Sequence, residues 1–149
     1  MKEIKTYYTG GQLSRHYYKL NGYRHGEYKE WYTGGQLATH SHYEHGKTNG
    51  EYKEWYTNGQ LATHSHYDHG KTNGEYKWWY QNGQMSLHAY YVNGELHGEY
   101  RTWNNTGVLI NHTFWVHDED VTYQVYKLVA NRYNITQEER TLIKLAVGI

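Results

Sequence analysis

The residues best placed to do chemistry are histidines: His40 and His42, and again His64 and His66, stand two apart in two copies of one segment. On a strand, that spacing sends both rings to the same side, about 7 Å apart at the backbone. Two imidazoles so placed can share a transition metal. A third ligand is harder to find. Glu51 can approach His66 across a strand pair, but the equivalent histidines one copy away lie about 10 Å off, beyond joint chelation without rearrangement. The other reading is that histidine simply suits a half-exposed strand face beside tryptophan. On that reading no metal and no cofactor is bound.

Other catalytic chemistry has less support. The chain has no cysteine, which removes disulfides, thiolate zinc sites and cysteine nucleophiles and is compatible with a reducing compartment. There is no Ser-His-Asp constellation, no phosphate-cradling glycine loop and no carboxylate pair set in an apolar surround, and the glycines sit where turns require positive φ. The acidic run Asp118-Glu119-Asp120 reads as a solvated turn in preference to a cation site. The expectation is a protein that is not an enzyme.

The elements that carry the histidines come from a tandem repeat. Glu51 to Gly74 reads EYKEWYTNGQLATHSHYDHGKTNG, and the segment Glu27 to Gly50 differs from it only at Gly34 for Asn58 and Glu44 for Asp68. The same period extends outwards in columns: Gly11, Gly35, Gly59, Gly83 and Gly107; Tyr7, Trp31, Trp55, Trp79 and Trp103; His16, His40, His64, His88 and His112. About five units follow one another, so each unit touches mainly its neighbours and no single deep core is expected.

Each unit reads as a β-hairpin, because Asn58-Gly59 between alternating aromatic runs is a strong short-range hairpin signal. A two-residue turn there pairs Tyr56 with Leu61, Trp55 with Ala62, Glu54 with Thr63, Lys53 with His64 and Tyr52 with Ser65. One face then carries Tyr52, Glu54, Tyr56, Leu61, Thr63, Ser65 and Tyr67, and the other Glu51, Lys53, Trp55, Ala62, His64 and His66. The link to the next hairpin turns either at His69-Gly70 or at Asn73-Gly74. The predicted fold is all-β: a single-layer antiparallel meander of 24-residue hairpins, advancing about 10 Å per unit.

Trp31, Trp55 and Trp79 admit two readings. Stacked on one another they would stiffen a thin sheet; partly exposed they would line a groove for an extended peptide, a glycan or a lipid headgroup. With 19 tyrosines and 6 tryptophans, aromatic rings supply the burial that aliphatic residues do elsewhere. Lysine plus arginine and aspartate plus glutamate each number 15, a net charge of zero, so no nucleic-acid partner is expected.

At the N-terminus, β-edge residues Lys2 and Lys5 read as discouraging edge pairing. Glu3 is already in register with Glu27 and no apolar run reaches membrane-spanning length; this predicts a cytoplasmic protein. Residues 1–117 form the array and residues 118–149 a C-terminal strand plus helix cap. Val121, Tyr123 and Val125 alternate as a last strand, and Thr136 with Glu139 forms a capping box ahead of Leu142, Ile143, Leu145 and Ala146.

The pattern G-E-Y-K-x-W-Y-x-N-G-Q-L followed by Y-x-x-G-K-x-x-G resembles the MORN repeat, in the variant seen in bacterial YwqK-like antitoxin proteins and in large DNA viruses. The resemblance covers roughly residues 3–117. It implies the same hairpin array, non-catalytic scaffolding and binding of proteins or membrane lipids; for a viral source it implies host cytoplasm or virion. The function expected is protein–protein binding through an aromatic and histidine face, with Trp31, Trp55, Trp79, His40, His42, His64 and His66 as contacts. Alternatives are an adaptor on anionic membrane lipid, whose histidines gain charge in mild acid, and an antitoxin that sequesters a toxin protein. The partner protein is not specified by the sequence, and homodimerisation by edge-strand pairing is a further expectation.

Overall fold

The computed structural model describes residues 1–129 together with Thr136, Glu138, Thr141, Leu142 and Leu145. Its strands are β1 (Lys2–Tyr7), β2 (Leu13–Leu20), β3 (Tyr23–Trp31), β4 (Leu37–Glu44), β5 (Lys47–Trp55), β6 (Leu61–Asp68), β7 (Lys71–Trp79), β8 (Met85–Val92), β9 (Glu95–Trp103), β10 (Leu109–Val116) and β11 (Glu119–Val121), followed by helix α1 (Tyr123–Val129). All eleven strands form one antiparallel sheet in chain order, the single-layer meander that the hairpin pattern predicts.

Two kinds of turn alternate along it. Between β5 and β6 the Gly59 N–H donates to the Tyr56 carbonyl at 2.9 Å and the Tyr56 N–H to the Gln60 carbonyl at 2.8 Å. Positive φ falls on Gly59 (82°) and not on Asn58. This is a three-residue loop, a type I turn closed by a glycine bulge, where the sequence predicts a two-residue turn. The extra loop residue is offset at Ala62: Trp55 pairs with Leu61, and the register then steps so that Glu54 meets Thr63, Lys53 meets His64 and Tyr52 meets Ser65. The last three pairs are those expected; the Trp55–Ala62 and Tyr56–Leu61 pairs are not formed.

The second kind of turn uses His69-Gly70, with φ of 47° and 88°. Positive φ at both central residues makes it a type I′ turn, whose twist matches the flanking strands. Asp68 pairs with Lys71 directly across it. Gly74 is left inside β7 at φ 103° as part of a bulge, where Asn73, Gly74 and Glu75 face the single residue His66 between the pairs Tyr67–Thr72 and Ser65–Tyr76.

Burial is shallow and confined mostly to one face. Tyr28, Ala38, Ala62 and Ala89 are buried with Ser41, Thr63, Ser65 and Ser86. Small residues there let tyrosine rings lie over them. Edge-to-face pairs cross the strands in the second to fifth units: Tyr28 with Tyr43 and Tyr52 with Tyr67 at 5.6 Å, Tyr76 with Tyr91 at 5.9 Å, Tyr100 with Trp115 at 6.3 Å.

The C-terminal end departs from the expected strand. His117 and Asp118 form a type I′-like turn, with φ of 50° and 65°. The Asp118 carboxylate accepts the Leu96 N–H at 2.7 Å, so its acid ties the turn to β9. Strand β11 stops at Val121, and Tyr123 and Val125 lie in α1, where the Tyr126 N–H bonds the Thr122 carbonyl at 2.9 Å. Helical geometry wins because Phe114, Val125, Tyr126 and Val129 then close over Val116 and Val121, burial that an extended strand would not give. Glu138, Thr141, Leu142 and Leu145 have helical backbone; Glu139, Ile143 and Ala146, and with them the predicted capping box, lie outside the described residues.

Candidate functional site

Strand alternation puts Glu51 and Lys53 of β5 and His64 of β6 on one face, and their side chains converge. The Glu51 carboxylate bonds Lys53 Nζ at 2.7 Å and His64 Nε2 at 2.9 Å. The triplet recurs in each unit: Glu3 with Lys5 and His16, both at 2.8 Å; Glu27 with Lys29 at 2.6 Å and His40 at 2.9 Å; Glu75 with Lys77 at 2.6 Å and His88 at 3.2 Å. In the fifth unit Glu99 pairs Arg101 and lies 3.8 Å from His112. The lysine ammonium first, and the imidazole after it, hold the carboxyls of Glu3, Glu27 and Glu51 below the usual carboxylate range. Each triplet is a solvated, charge-balanced knob, and the column repeats at about 10 Å.

His40 and His64 are therefore engaged, each by the glutamate of its own hairpin. His42 and His66 are exposed; they pair across the strand with Glu27 and Glu51, whose carboxylates turn instead to His40 and His64. Among the described residues no group of three or more histidines, aspartates or glutamates is arranged to hold a metal ion. The histidine pairs share a face, as their spacing requires.

Trp31, Trp55 and Trp79 are half-buried. Among the described residues no ring pair joins these tryptophans to one another, so the stacked row considered from the sequence is not formed. Trp31 and Trp55 line a cleft of about 460 Å³ with Tyr8, Tyr32, Tyr56, Glu30 and Glu54, and none of His40, His42, His64 and His66 lines it. The bulge at Ala62 changes the partner of Trp55, which faces Leu61 and not Ala62.

What joins the units is a column that the sequence analysis passed over. The tyrosine after each strand-ending aromatic donates its hydroxyl to the tryptophan carbonyl of the next unit: Tyr8 to Trp31 at 2.6 Å, Tyr32 to Trp55 and Tyr56 to Trp79 at 2.7 Å, Tyr80 to Trp103 at 3.0 Å. Its signal was the invariance of Tyr8, Tyr32, Tyr56 and Tyr80 at the repeat period. On the tyrosine face, burial first and the Glu30 carboxylate second push the Tyr28 phenol up to about 12, and burial with Glu54 pushes Tyr52 up likewise. These phenols are structural donors, not acids at neutral pH.

Among the described residues no helix is long and apolar enough to cross a membrane. Residues 24–45, 48–69 and 72–93 match the family described as MORN repeat variant. The three matched segments follow one another, each running from within one odd-numbered strand to the following type I′ turn. No curated protein matches the chain.

Proposed function

We propose that this array is a non-catalytic scaffold that holds a protein partner on the face bearing His40, His42, His64 and His66, with Trp31, Trp55 and Trp79 as a neighbouring contact region. The observation that carries the reading is the Glu-Lys-His triplet repeated along one solvated face. A periodic column of fixed, alternating charge suits a partner with a complementary column, and MORN repeats commonly bind proteins or membrane lipids. The balance of acid and base in each triplet favours protein over anionic lipid, which would call for a net positive face. A toxin held by this face, as in the antitoxin reading, is one protein partner that meets this description.

Capture from the source cells with the wild type and with a variant in which His40, His42, His64 and His66 are all alanine tests the proposal. The expected result is a partner retained by the first and lost by the second, both folded by circular dichroism, with retention weakening as salt screens the charges. Equal retention of that partner by both would overturn the assignment of this face.

A further inference from the structure

The two ends of the sheet carry matching unfinished surfaces. Strand β11 pairs only with Phe114, Trp115 and Val116 of β10. Among the described residues the outer edge of Leu109 to Thr113 therefore has no strand beside it. The side chains there are apolar and open: Val108 is 58%, Leu109 47% and Ile110 65% exposed. Residues at the Ile110 position of earlier units are covered by the unit that follows, Ala38 being 9%, Ala62 7% and Ser86 5% exposed. Ile110 has no such covering unit among the described residues.

At the other end, β1 has no strand on its outer side among the described residues and is made of residues that the array already uses in its interior. Ninety-six positions separate Glu3, Lys5, Thr6 and Tyr7 from Glu99, Arg101, Thr102 and Trp103 of β9. Lys5 is no barrier to pairing: it bonds Glu3 at 2.8 Å, as Lys29 and Lys53 bond Glu27 and Glu51 within strands paired on both sides. We infer that copies of this chain associate head to tail, β1 of one copy adding to the open edge of β10 in the next.

The register follows from the contact inside the array. Strand β8 meets β9 through Leu87–Thr102, His88–Arg101 and Ala89–Tyr100; one period on, Asn111 meets Thr6, His112 meets Lys5 and Thr113 meets Ile4 of the second copy. The added strand ends there because β11 occupies the rest of the edge. Ala38 and Trp55 line one cleft within the array, and the same step places Ile110 against Tyr7, which is itself 59% exposed. A net charge of zero leaves no overall repulsion between copies. A contact between unlike ends does not close on itself and extends into a chain of copies.

The test uses sedimentation velocity on the full chain and on Ile110→Lys and Tyr7→Lys, both at exposed positions. The expected results are an apparent mass that rises with concentration for the wild type, monomers for each variant alone, and a species of twice the monomer mass when the two variants are mixed, since each retains one intact end. A wild type that stays monomeric at the highest concentration reached, a single variant that still associates, or a mixture that stays monomeric would each overturn the proposal. Association of Tyr7→Lys alone would point instead to symmetric pairing of β10 edges.

Discussion

The Tyr32 hydroxyl donates a 2.7 Å hydrogen bond to the Trp55 carbonyl oxygen, one unit further along the sheet. The same 23-residue step links Tyr8 to Trp31, Tyr56 to Trp79 and Tyr80 to Trp103. In a sheet with so little enclosed core, these bonds couple each hairpin to its successor where the backbone ladder has just given way to a loop. Cooperativity of the array depends on such nearest-neighbour terms.

Tyr32→Phe keeps the ring and removes the donor. The expected cost is about 1 kcal/mol, or a fall of about 2–4 °C in Tm for a chain of this size. Thermal unfolding followed by circular dichroism measures it. An unchanged Tm would show that the tyrosine bond does not couple the units, and Tyr80→Phe, with the longer bond of 3.0 Å, should cost less.

The fold was legible in the sequence because strand alternation and period are properties of the local chain. Glu54–Thr63, Lys53–His64 and Tyr52–Ser65 pair as read, and the Glu-Lys-His face follows from that alternation. The turns were read less well. Asn58-Gly59 read as a two-residue turn but belongs to a three-residue loop, whereas His69-Gly70, one of the two links that the sequence offered, does form the two-residue turn. The three-residue loop, offset by the bulge at Ala62, gives Trp55 the partner Leu61 in place of Ala62. Helix α1 was hidden because Val121, Tyr123 and Val125 alternate in sequence, and only contact with Phe114 and Val116 favours coiling over extension.

The two nearly identical units contain their own mutational control at positions 34 and 58. Asn58 Oδ1 accepts the Gln60 N–H at 3.1 Å and its Nδ2 donates to the Gln81 carbonyl at 2.9 Å, while Gly34 can do neither. Gly34 does not have positive φ, so asparagine is accommodated there once the Gln36 amide, which an added Cβ would meet, swings away. Gly34→Asn should stabilise by about 0.5–1 kcal/mol through a less flexible unfolded chain and one more link between units. Urea unfolding is the measurement. A loss of stability would mean that Gln36 cannot move.

His97 gives the array a pH dependence with a definite sign. It is buried, and neither ring nitrogen has a hydrogen-bond partner. Its ring lies 4.8 Å from that of His117, whose Nδ1 bonds Glu95 at 2.5 Å. Burial first, then the adjacent His117, push the His97 pKa below the ordinary 6.5, with Glu95 opposing. The native state therefore keeps His97 neutral, whereas the unfolded chain takes up a proton below about pH 6.5. Its contribution is fully present above that pH and is lost as pH falls through the folded-state pKa. Asparagine is the natural replacement: Asn49 and Asn73 hold the equivalent position, and their Oδ1 atoms accept the turn N–H of His69 at 3.1 Å and Asn93 at 3.0 Å. Denaturant unfolding between about pH 7 and pH 5 should show wild-type stability declining with acid and His97→Asn giving a flatter profile. Parallel profiles would assign the acid sensitivity to other groups, because a neutral asparagine has no proton to exchange in this window.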